Sequence, residues 1–126
     1  MSVNSKGYAR PNFLWSELTC KCGCGTSFIT SRSLDKLQAF RLIVDVGFSP
    51  NSACRCPIHN AREGGRPLSL HRSTEDRPSC AFDIPILPGL TKDKIIATAI
   101  KVGFQGLGIN YNTFVHIDDR GYKAIW

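Results

Sequence analysis

No stretch of about 18 apolar residues occurs in this chain, which excludes a membrane-spanning helix built from one continuous hydrophobic run. Runs of a single charge and low-complexity tracts are absent as well. With 42% hydrophobic and 21% charged residues, the composition is that of a folded globular chain rather than a disordered one. The opening segment MSVNSKGYARPNF has no apolar run followed by a small-residue cleavage site, so no secretory signal is expected and synthesis in a cytosol is. Acidic residues are scarce. Ten Asp and Glu against sixteen Lys and Arg leave a net charge of +6, which favours anionic partners such as nucleic acid, anionic membranes or bacterial wall polymer without choosing among them. The C-x-x-C spacing of common zinc ribbons is also missing. The six cysteines, Cys20, Cys22, Cys24, Cys54, Cys56 and Cys80, fall in CKCGC, in CRC and singly. In a reducing cytosol they read as thiols or metal ligands rather than disulfides, with buried or loosely paired thiols preferred to a structural metal cluster.

What is present fits one domain. A chain of 126 residues can bury one hydrophobic core but hardly two, so residues 1–126 are expected to form a single unit. From Ser31 to Val46, apolar Leu34, Leu37, Phe40, Ile43 and Val44 recur at helical spacing, and Gly47 and Pro50 stop the run. Asn51 to Ser79 is rich in Gly, Pro, Arg and Ser and reads as a long loop region, the kind of segment that carries function. Ala81–Ile86 reads as a strand. Lys92–Val102 reads as a second helix, with Thr91 as its N-cap and Gly103 beyond its end. Strands at Thr113–Ile117 and Tyr122–Trp126, joined by the turn Asp118–Gly121, read as a closing hairpin. The order predicts an α+β domain with two main helices and a small antiparallel sheet.

Three polar residues stand out. Asp83 lies between Phe82 and Ile84 in an apolar strand, where an unpaired carboxylate is costly to bury. In FVHID, alternation puts Val115 and Ile117 on one face and Phe114, His116 and Asp118 on the other, so a core-facing first face turns the second toward a cleft. His71 lies in the loop segment SLHRS. Each residue alone also reads as an ordinary hydrogen-bonding histidine or a salt-bridge aspartate. Together, two imidazoles and one carboxylate form a donor set that suits one zinc ion and leaves a fourth position for water.

The chain resembles the zinc D-Ala-D-Ala carboxypeptidase group of murein peptidases, including its short phage-encoded members, with the hedgehog/DD-peptidase fold. NFLWSELTCKCGCG looks like the family's N-terminal segment, and SACRCPIHN like its arginine-containing turn. SLH followed by AFDI resembles the S-x-H…A-x-D zinc motif, and GLGINYNTFVHIDDRG the C-terminal ligand strand. The resemblance implies a hedgehog/DD-peptidase-like fold, zinc on His71, Asp83 and His116, and hydrolysis of a peptide bond in bacterial peptidoglycan. One departure is clear: twelve positions separate His71 from Asp83, against seven in the pattern H-x-x-G-x-A-x-D, and Ser79 stands where glycine is expected. A loop insertion of this size adds little closure entropy, so it bears on cleft shape more than on the metal.

By the same resemblance, Arg55 holds an oxyanion or a substrate carboxylate, a task for which a planar guanidinium suits better than an ammonium. Ser69 binds substrate or, equally well, caps its loop. Relatives place a catalytic base two or three residues before the last histidine, where this chain has Thr113 and Phe114. Asp118, on the His116 face of the strand, is then the candidate base, with a turn anchor or an Arg120 partner as the competing role. His59 is set aside as a ligand, because the matching family position is structural and a fourth protein ligand closes the site. The expected partner is a peptidoglycan stem peptide, the expected state a monomer, and the expected setting a phage endolysin or virion-associated peptidase. Such a protein is made in the host cytoplasm and acts at the wall after release or from a phage particle. Two rivals are a nucleic-acid-binding zinc module and a noncatalytic wall-binding domain of the same fold. The first is disfavoured by scattered basic residues without interleaved aromatics.

Overall fold

Two helices and one four-stranded sheet enclose the core. In the computed structural model residues 7–65 and 69–126 are described; residues 1–6 of the segment read for a secretory signal and residues 66–68 of the long loop region lie outside them. In chain order the elements are β1 (Tyr8–Arg10), β2 (Phe13–Leu14), α1 (Trp15–Leu18), α2 (Ser31–Val44), α3 (Pro57–Arg62), β3 (Ala81–Pro85), α4 (Lys92–Val102), β4 (Gly106–Gly108), β5 (Phe114–Asp118) and β6 (Ala124–Ile125). This is the expected α+β architecture with two main helices.

Helix α2 starts at the Thr30 cap, whose hydroxyl accepts from the Ser33 amide (3.2 Å), and it buries Leu34, Leu37, Phe40 and Val44. It ends two residues earlier than the sequence predicts, because Asp45 adopts a left-handed conformation (φ 52°) that aspartate tolerates better than most residues. Ile43, counted in the apolar spacing, lies within the helix but is exposed. Helix α4 has its expected bounds, with the Thr91 hydroxyl accepting from the Lys94 amide and Gly103 in the left-handed region. Ile95 and Ala99 of α4 are buried, and α4 packs against both α2 and β5. The inner sheet face contributes Phe82, Ile84, Val115 and Ile117, all fully buried. Burial of each such side chain stabilises the fold by about 1.5–3 kcal/mol, and the alternation read from FVHID is the alternation observed.

Two expectations need correction. The region Asn51–Ser79 is not all loop, since α3 begins at Pro57 with Cys56 as its cap; only Asn60 of its six residues is buried, so no apolar periodicity marked it. Nor does a hairpin close the chain. The sheet order is β3-β5-β4-β6, with β5 antiparallel to β3 and β4 and with β6 parallel to β4, so the sheet is mixed. The acids of the supposed turn are engaged elsewhere. Asp119 reaches α2 through Lys36 (2.7 Å) and Arg32 (3.1 Å), and Asp118 is fully buried. The strand that displaces the hairpin, β4, has the sequence Gly-Leu-Gly, which carries almost no strand signal.

Candidate metal centre

Cross-strand register places Asp83 of β3 directly opposite His116 of β5. His71 arrives from the loop region, anchored where the Arg55 amide donates to the His71 carbonyl (2.7 Å) and the Ser73 amide to the Arg55 carbonyl (2.7 Å). The extra residues after His71 are taken up by a turn in which the Arg77 amide donates to the Thr74 hydroxyl (3.0 Å), after which the Cys80 amide returns to the Leu70 carbonyl. The insertion therefore leaves the three side chains together.

His71 Nε2 lies 3.1 Å from Asp83 Oδ1 and 3.2 Å from His116 Nδ1, and the last two atoms are 3.2 Å apart. This is a nearly equilateral triangle. Donors held at about 2.0–2.1 Å by a tetrahedral zinc lie roughly 3.3 Å from one another, so the spacing fits such an ion. The remaining ring nitrogens are committed. His71 Nδ1–H donates to the buried Ala53 carbonyl (2.9 Å), and His116 Nε2–H donates to Asp118 Oδ2 (2.7 Å). Each bond fixes the tautomer in which the other nitrogen presents a lone pair to the centre of the triangle, the usual outer support of a metal-bound imidazole.

Electrostatics agree with this geometry. Burial favours the neutral form of Asp83, but hydrogen bonds from His116 and His71 outweigh it and hold the carboxyl well below the usual carboxylate range. Burial likewise opposes charge on His116, yet the Asp118 and Asp83 carboxylates on either side push its pKa up. A proton thus sits favourably where a cation would. Asp118 is also lowered, since bonds from Arg120 and His116 overcome its burial.

Asp118 is paired with Arg120, the competing role read from the sequence. It shares the His116 face, but it contacts the far edge of that ring. Its Oδ1 accepts from the Arg120 amide (3.2 Å) and Nε (2.9 Å), and its Oδ2 from Arg120 (2.8 Å) as well as from His116. A buried carboxylate with both oxygens so occupied does not face the space beside the triangle, which is where a base must stand. Arg120 in turn lies over the Trp126 ring (4.7 Å to the centroid), and the Trp126 and His116 rings are 5.1 Å apart. Sequence reasoning did not single out Trp126 or the Ala53 carbonyl. An aromatic just beyond a two-residue edge strand and a backbone oxygen leave no distinctive signal.

The triangle opens into a cleft of about 890 Å³ whose lining includes Arg55, Ser69, Arg77, Tyr111, Arg120 and Trp126. Arg55 borders the cleft, and its Nε is buried without a hydrogen-bond partner among the described residues. Ser69 behaves as a loop cap, its hydroxyl accepting from the His71 amide (3.2 Å). His59 is not at this centre; its Nδ1 contacts Cys20 Sγ (3.1 Å). Asp83 is the only carboxylate among the described lining residues.

Comparison with known proteins is consistent with this site. The model of the family described as Peptidase M15 matches residues 11–118, from just before β2 to the last residue of β5. No curated protein matches the chain.

Proposed function

The chain belongs to the peptidase M15 family of D-Ala-D-Ala carboxypeptidase-type metallopeptidases, and from that premise we propose that it cuts a peptide bond in the stem peptides of bacterial peptidoglycan, using one zinc ion on His71, Asp83 and His116. The observation that carries this reading is the closed triangle of His71 Nε2, Asp83 Oδ1 and His116 Nδ1, with both outer ring nitrogens already fixed. Zinc in such a position lowers the pKa of bound water toward ~7 and polarises a carbonyl.

The chain's own residues supply positioning. Ala53 and Asp118 orient the two imidazoles. Arg55 presents its guanidinium to a carboxylate or a developing oxyanion, charges that a cleft bordered by Arg55, Arg77 and Arg120 attracts. Stem peptides carry such carboxylates. Asp118 serves as an orienting residue, its oxygens held by His116 and Arg120, and with Asp83 taken as a ligand the proton given up in hydrolysis would leave to solvent or to the substrate. The setting we favour is a phage endolysin or virion-associated peptidase, a reading that rests on the resemblance to short phage-encoded relatives.

Digestion of purified peptidoglycan, followed by mass spectrometry of the released muropeptides, tests the proposal. Wild-type protein should cleave one class of peptide bond, and a zinc chelator or His116→Ala should abolish cleavage. Binding to the wall polymer without any new peptide terminus would instead establish a wall-binding role. Unchanged zinc content in His116→Ala would remove that residue from the metal site.

A further inference from the structure

On the other side of Arg55 lies a second group of soft donors that the proposed reaction does not use. The Sγ atoms of Cys20, Cys22, Cys24 and Cys56 all lie within 4.8 Å of one another. Cys20 Sγ is 3.4 Å from Cys22 Sγ, which is 3.7 Å from Cys56 Sγ. Thiolates held at about 2.3 Å by a tetrahedral zinc are separated by roughly 3.8 Å, so a single ion fits among the four. Cys56 is brought to the other three across more than thirty residues of chain, by the backbone bond that its amide makes to Cys20 Sγ (3.3 Å). The local turn is built for convergence. Gly23 and Gly25 take left-handed conformations (φ 86° and 83°) that fold CKCGCG back on itself and point alternate side chains to one place.

The surroundings are those of thiolates rather than of apolar thiols. Besides the Cys56 amide on Cys20, the His59 amide donates to Cys56 Sγ (3.3 Å) and the Thr26 amide to Cys24 Sγ (3.5 Å). His59 Nδ1 lies 3.1 Å from Cys20 Sγ, placed to donate to it. Four adjacent thiols cannot all ionise without a cation among them, and a soft divalent ion supplies that charge.

We propose that Cys20, Cys22, Cys24 and Cys56 bind a second, structural zinc ion in a four-thiolate site, with His59 supporting Cys20 from outside. Its place in the chain gives it a task. Cys56 caps α3 and directly follows Arg55, while Cys54 on the other side is buried and donates to the Leu18 carbonyl (2.9 Å). Residues 20–24 are thereby tied to the segment that carries the cleft arginine. Thiolate ligation favours zinc over hard cations, and four protein ligands leave no open position, as in sites that hold structure rather than perform hydrolysis.

The test is metal content and spectroscopy, which require no peptidase activity. Wild type, Cys22→Ser/Cys24→Ser and His71→Ala/His116→Ala are each loaded with zinc and, separately, with cobalt. Expected zinc is about two equivalents in wild type and one in each double variant. Thiolate-to-cobalt charge-transfer absorption is expected in wild type and in the His71/His116 variant and not in the Cys22/Cys24 variant. If the cysteine variant does not fold, the His71/His116 variant decides alone, since it should keep one cobalt with the thiolate band. A single wild-type equivalent that disappears with His71 and His116 overturns the proposal. So does absence of the thiolate band, iron in place of zinc, or an intact mass lower by two hydrogens for each bridge formed among these cysteines. One wild-type cobalt that carries the thiolate band and persists unchanged in the His71/His116 variant would support this inference while overturning the zinc site of the proposed reaction.

Discussion

Asp118 Oδ2 lies 2.7 Å from His116 Nε2, on the edge of the ring opposite the nitrogen that faces Asp83 and His71. On the proposed reading, a residue in this position would act through the metal ligand rather than on the substrate. Replacing such partners typically costs about 10–100-fold in metal affinity or activity. Asp118→Asn should therefore weaken zinc binding by roughly that factor, while kcat returns close to wild type when zinc is saturating. Zinc titration with parallel rate measurements separates the alternatives. Unchanged zinc affinity with a collapsed kcat would restore Asp118 as the proton acceptor.

Gly106 of β4 pairs with Asp118, and a Cβ at that position would run into the Asp118 carboxylate. The carboxylate cannot step aside, because Arg120 and His116 hold both its oxygens. Gly106→Ala should lower stability by about 1–3 kcal/mol, the usual cost of overpacking. It should also weaken zinc binding in the same direction as Asp118→Asn. Denaturant midpoints and zinc titration check both effects, and a variant with wild-type zinc affinity would show that the Asp118 contact is dispensable.

Arg55→Lys keeps the positive charge and loses the fork of guanidinium donors. We expect zinc content and folding to be retained and peptidase activity to fall by roughly a hundredfold or more, as when oxyanion donors are removed. Near-normal turnover on the same muropeptide substrate would take Arg55 out of the reaction.

Zinc affinity should rise with pH. In the metal-free protein His116 has a raised pKa, so at acidic pH a proton occupies Nδ1 and competes with the ion. Below that pKa each unit of pH should weaken binding by about tenfold for a single displaced proton, and above it the dependence should flatten. Calorimetric titrations in buffers of different ionisation enthalpy should detect proton release on binding. A pH-independent affinity across the imidazole range would mean that His116 is not the titrating ligand.

Much of this site was legible in the chain because local rules governed it. An aspartate between Phe82 and Ile84 and a histidine between Val115 and Ile117 must point away from a core that their neighbours enter, and strand periodicity states that without coordinates. The caps of α4, Thr91 and Gly103, are equally local. The sequence by itself thus determined the two helices, the inward and outward faces of β3 and β5, and the donor types His71, Asp83 and His116. Tertiary structure alone decided the rest. Only pairing across the sheet puts β4 between β5 and β6, where a sequence of glycines and one leucine carried no strand preference and the DDRG segment looked like a hairpin turn. That pairing brings Asp118 against Gly106 and the His116 ring, a placement on which its proposed orienting role rests. Likewise no spacing rule gathers Cys56 with Cys20, Cys22 and Cys24. Contacts between residues far apart in sequence depend on how whole elements pack, and periodicity and capping act over only a few residues at a time.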